Sequence, residues 1–203
     1  MSRKISIDDV VDFANEYIRE IIYFILILVV ISLVSVYVLY RIERKNNDLM
    51  IKYYNAGITI GSNRDESINA LSNVYENAGG NIKNIAGLKL ANLMNDDKKI
   101  EIFLEIYNSK SGDSYLRNLA GLNAVSALIN KNNENDYKKI VDLLNKMKEN
   151  DNPLVNLIDE QEAIFEIQKG NAERGKSLLQ QIIGRDNIDV YQRQRIKDIL
   201  NLE

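Results

Sequence analysis

Residues 114–130 read SYLRNLAGLNAVSALIN. Leu116, Leu119, Ala120, Ala124, Ala127 and Leu128 follow the i, i+3, i+4, i+8 spacing of a helical stripe. Leu122, Val125 and Ile129 form a second stripe on the same helix. Two stripes require neighbours on two sides, so this is the inner helix of a stack. Downstream the pattern becomes one-sided: Ile140, Leu144 and Met147 face inward, while Lys138, Lys139, Asp142 and Lys146 face water. No run alternates apolar and polar residues for long enough to make a strand.

Working outward, the turn chemistry divides the chain into further helices. Asn63 with Glu66, and Asp189 with Gln192, have the spacing of a capping box. Gly170-Asn171 offers a left-handed C-cap followed by an N-cap. Asn152-Pro153 puts a capping side chain before a proline that opens a helix, where the missing N–H costs nothing. The spacing predicts helices over 46–60, 64–77, 81–94, 96–108, 114–130, 136–149, 153–169, 172–184 and 189–201. Connections this short make consecutive helices antiparallel neighbours. Ala86-Gly87-Leu88-Lys89-Leu90-Ala91 recurs as Ala120-Gly121-Leu122-Asn123-Ala124-Val125, which is the period of a tetratricopeptide (TPR) helix pair. With Gly170 at a turn, Ala163 and Gly175 take the small-residue positions where two paired helices touch. The expected fold is all-α: a transmembrane helix followed by a TPR-like α-solenoid.

Upstream lies Ile21–Tyr40, IIYFILILVVISLVSVYVLY, without a charge, Gly, Pro, Asn or Gln. A helix of this length covers roughly 30 Å, the hydrocarbon thickness of a bilayer. The run is too long for a signal-peptide core and no small-residue cleavage pattern follows it, so it reads as an uncleaved anchor. Three parts are expected: an N-terminal tail (1–20), a membrane helix (21–40) and a helical domain (41–203). Arg3, Lys4 and Arg19 precede the span; Arg41, Arg44, Lys45 and Lys52 follow it. The flanks do not decide the orientation and lean toward a cytoplasmic C-terminal side. Ser32 and Ser35 lack the small-xxx-small spacing of a packing face and are tolerated polar residues.

The composition narrows the chemistry. Among 203 residues there is no His, Cys or Trp and one Pro, with a net charge of -3. The usual His/Cys zinc sites, a Ser-His-Asp triad, a Cys nucleophile and disulfides are all excluded. The pI of 5.3 disfavours nucleic-acid binding through bulk positive charge. A mean hydropathy of -0.26 averages the apolar span with a polar domain. Asp96-Asp97 and Asp159-Glu160 are paired carboxylates, but sequence neighbours on a helix diverge by about 100°, and both pairs fall near helix starts, where acids suit the dipole. Gly79-Gly80 and Gly57–Gly61 lack a phosphate-loop context and read as turns. Asn132–Asp136 lacks the EF-hand pattern. No catalytic residue, cofactor site or metal site is expected. The candidate partner-binding residues are Tyr53, Tyr54, Tyr75 and Tyr107, with Tyr115 and Arg117, because Tyr and Arg carry interface hot spots. The competing reading is that each tyrosine fills a core gap.

The chain resembles the YfgM-like TPR-domain proteins, ancillary subunits of the bacterial SecYEG translocon. The resemblance rests on IAGLKLANLM (85–94), Asp113–Ala120, Tyr137 with KKIVDLL, DEQEAIFEIQKGNAERGKSLLQQII (159–183) and Tyr191–Arg195. It departs at Glu162-Ala163, where that family often has Leu-Gly. The resemblance implies a cytoplasmic N-terminus, a periplasmic domain at the bacterial inner membrane, and a scaffolding role. Its implied partners are translocon subunits, periplasmic chaperones or secreted chains. A homo-oligomer stays open. The rival reading is a structural or assembly subunit of another membrane complex, unrelated to secretion.

Overall fold

The structure, a computed structural model, describes residues 7–149 and 152–201. Arg3 and Lys4 of the N-terminal flank lie outside the described residues. The chain is 83% helix with no strand, which makes the fold all-α among the described residues. The helices are α1 (Ile7–Thr59), α2 (Arg64–Asn77), α3 (Gly80–Ala91), α4 (Asp96–Asn108), α5 (Ser114–Lys131), α6 (Tyr137–Lys148), α7 (Val155–Gln168), α8 (Ala172–Ile183) and α9 (Val190–Leu200), with a 3-10 turn at Glu134–Asp136.

Helix α1 is one element where two were expected. The separate helix over 46–60 is its continuation, since RIERKNND contains nothing that breaks a helix. Two compact units divide the chain between Asp48 and Leu49. In the first, every side chain from Ile21 to Tyr40 is exposed. This helix is long and apolar enough to cross a membrane. Within it, Ser35 Oγ donates to the Ile31 carbonyl (2.7 Å), so its polar atom is satisfied inside the helix.

The second unit, residues 49–203, is a row of helices, each from α2 onward packed on the next. Helices α3, α5 and α7 also touch in succession, an inner row with α5 at its centre. The core runs as three clusters. The first joins Leu49 and Ala56 of α1 to α2, α3, α4 and the Ala120/Ala124 side of α5. The second takes Leu122, Val125, Leu128 and Ile129 of α5 together with α6 and Phe165 of α7. The third lies among α7, α8 and α9. So α5 does bury two sides. Ala120 and Ala124 face the first cluster, whereas Leu128, expected on their stripe, packs in the second with Leu122, Val125 and Ile129.

The repeated Ala-Gly has a physical meaning. Ala86 and Ala120 are both fully buried. A Cβ on Gly87 would lie 2.5 Å from the Tyr75 ring, and one on Gly121 would lie 2.7 Å from the Tyr107 ring. In each case a tyrosine of the preceding helix occupies the space the glycine vacates. Gly175 makes a similar approach against backbone, with the Ala163 carbonyl oxygen 2.6 Å from its Cβ position. This is the Ala163–Gly175 approach expected from the turn at Gly170, whose φ of +89 is the left-handed conformation glycine permits.

Most boundaries follow their caps. Asn63 accepts the Glu66 amide (3.2 Å) and donates to its carboxylate (3.1 Å). Asp189 accepts the amides of Tyr191 and Gln192. Three details differ from expectation. Asn152 accepts the Leu154 amide within a buried turn, so α7 opens at Val155 and Pro153 precedes it. Asn171 does not cap α8; its amide donates instead to Glu166 (2.6 Å). The turn expected over Gly57–Gly61 begins only after Thr59.

Candidate functional site

The six candidate binding residues separate by burial. Tyr75, on α2, is buried at 8% exposure and packs against Gly87. It belongs to the first core cluster. Tyr107, on α4, is half-buried against Gly121, with Lys146 Nζ 5.2 Å from its ring centre. Tyr53 is half-buried, packs on the first core cluster and has Lys89 Nζ 5.1 Å above its ring. Tyr54 and Tyr115 are open to solvent, at 63% and 48% exposure. Arg117 is half-buried and donates to the Gly112 carbonyl (2.6 Å), fastening the loop before α5. Tyr53 and Tyr54 meet edge to face with ring centres 5.8 Å apart. No ring or hydrogen-bond contact joins them to Tyr115 or Arg117 among the described residues.

Burial pushes the Tyr75 phenol above its ordinary value, and the Glu105 carboxylate facing it pushes the same way. The Tyr75 hydroxyl is buried without a hydrogen bond of good geometry. Glu105 is held below the usual carboxylate range, first by the hydrogen bond from Lys83 (2.9 Å). Lys83 also sits 4.8 Å from the Tyr75 ring centre. These groups tie α2, α3 and α4 together.

The most concentrated polar cluster lies elsewhere, on α7. Its four acids each reach a cation on another segment. Glu160, 2% exposed, takes Arg195 of α9 through two bonds (2.6 and 2.7 Å) and an amide bond from Gln192 (2.8 Å). Asp159 bridges Lys148 of α6 (2.5 Å) and Arg185 beyond α8 (2.6 Å). Glu162 pairs with Lys148 and with Arg174 (3.5 Å), which also approaches Glu166 (3.8 Å). Burial alone would lower the Lys148 ammonium, but the hydrogen bonds it donates to Asp159 and Glu162 outweigh burial and hold the group above its ordinary value. The expected divergence of Asp159 and Glu160 holds, for their cations come from different segments. Their expected place at a helix start does not: they sit beyond the first turn and are buried. Asp96 and Asp97 do occupy the first turn of α4.

No set of three Asp or Glu residues converges to hold a metal ion among the described residues. A groove of about 330 Å³ between α4 and the α5–α6 corner includes Ile100, Leu128, Asp97 and Lys131. Within it Lys131 Nζ lies 2.6 Å from Asp97 Oδ1. The Lys131–Asp97 pair joins α5 to α4. In comparison with known proteins, the chain matches no family model, no curated protein and no solved structure.

Proposed function

We propose that the chain is a membrane-anchored scaffold that binds proteins at the bacterial inner membrane, ancillary to the Sec translocon and its periplasmic chaperones. One observation carries the reading: an exposed apolar stretch of helix, Ile21–Tyr40, and a row of packed helices occur in one chain. The anchor fixes the domain to a surface, and a row of helices offers extended faces to other chains. The Ala-Gly recurrence and the Ala163–Gly175 approach support a TPR-like arrangement of pairs. The YfgM-like pattern supplies the compartment and the partner class. On this reading the domain is periplasmic, uses no cofactor and performs no catalytic step. The exposed Tyr54 and Tyr115 are the remaining candidates of the original six for open contact with a partner.

The test is crosslinking in intact cells from a photoreactive residue at Tyr115. Adducts with translocon subunits or periplasmic chaperones are the expected result. The reading fails if a folded, membrane-bound protein gives none.

A further inference from the structure

The C-terminal part of α1 has two apolar faces, and the domain uses one. Leu49 and Ala56 are buried at 5% and 2% exposure, and Tyr53 packs beside them. On the other side Ile51, Tyr54 and Ile58 stand open at 59%, 63% and 79% exposure. Their separations are three and four residues. That alternation averages 3.5, the period of a seam between two wrapped helices. A helix that only lies on its own domain has no need of a second stripe.

In the sequence the alternation continues upstream through Leu33, Tyr37, Tyr40, Arg44 and Asn47 without a slip. Helix α1 runs through all of these positions unbroken. We infer that the Ile51–Tyr54–Ile58 face binds the same face of a second copy of this chain, in parallel. The occupant follows from the pattern. Two copies anchored through the same helix enter the membrane in the same direction, so a parallel pair sets Ile51 against Ile51 and Ile58 against Ile58. Asn47 falls on the seam, where a polar residue sets register at a cost in stability. Arg44 also falls on it. In a parallel pair the Glu43 of the second copy flanks Arg44, so the charge is matched across the seam. The inference rests on the membrane anchor of the proposed function but not on its partners.

The chain has no cysteine, so single-cysteine variants report position cleanly. Ile51→Cys and Ile58→Cys lie on the seam; Lys45→Cys and Lys52→Cys lie on the same helix but off it. Each full-length variant is oxidised in isolated membranes and run without reductant. The expected result is a disulfide-linked species of twice 23.3 kDa, at least fivefold more abundant for the seam pair than for the off-seam pair. Adding Tyr54→Asp to Ile58→Cys should abolish it while the protein stays in the membrane fraction. Equal crosslinking at all four positions, none at the seam, or an adduct with a different protein would each overturn the inference. Fractionation of the same samples reports the anchor separately: protein recovered in the soluble fraction sinks the anchor, whereas membrane protein without dimer sinks only the pairing.

Discussion

The ion pair between Glu160 and Arg195 is lopsided. The carboxylate is 2% exposed, whereas the Arg195 side chain is 51% exposed. Removing the arginine strands a buried charge with only Gln192 beside it; removing the acid releases a guanidinium that water can reach. Arg195→Met should therefore destabilise the domain by about 3 kcal/mol, and Glu160→Gln by about 1 kcal/mol, in urea unfolding. An equal cost would contradict the description. Tyr75 offers a test in pH. Its folded-state phenol is raised above the unfolded value, so the stability it contributes is complete below about pH 10 and is lost as pH rises beyond that. Tyr75→Phe removes an unpartnered buried hydroxyl. It should be neutral or stabilising at pH 7 and should lessen the loss of stability above pH 10. At this scale the sequence was least legible. Arg195 lies 35 residues from Glu160 and Arg185 lies 26 from Asp159, so no local spacing shows that these acids are buried and paired. The burial of Tyr75 was not legible either, because the glycine that receives its ring is on the next helix.

Helix ends were legible wherever a side chain makes the cap. Asn63, Asn95, Asp113 and Asp189 each accept an amide of the first turn of the helix that follows. The misreadings arose where a nearby group competes for that side chain. Asn171 bonds to Glu166, and Asn152 closes its own turn while donating to the Met147 carbonyl. The inner role of α5 was readable from its two stripes, because burial on both sides leaves few polar positions. The close approaches were readable from paired small residues. Gly175→Ala tests the one made against backbone. The helix interior would gain up to about 1 kcal/mol from alanine's propensity. The new methyl would lie 2.6 Å from the Ala163 carbonyl oxygen, so α7 and α8 must separate. The net effect should be a loss of about 2 kcal/mol, measured by denaturant unfolding. A stabilised variant would show that the two helices do not pack this closely.

For the whole molecule, the composition and the apolar span foretold one exposed helix and an all-helical remainder, and the structure has both. What the sequence did not foretell is that the span and the first domain helix are one element, for no breaker separates them and propensity alone does not say where a long helix stops. Orientation depends on charges that nearly balance, so it calls for an experiment on cells. The most direct measurement is protease treatment of spheroplasts, with the C-terminal domain followed by antibody. The account predicts that protease added outside degrades residues beyond the span while a cytoplasmic marker survives. A domain that resists until the membrane is opened, or that leaves with the soluble fraction, would contradict it.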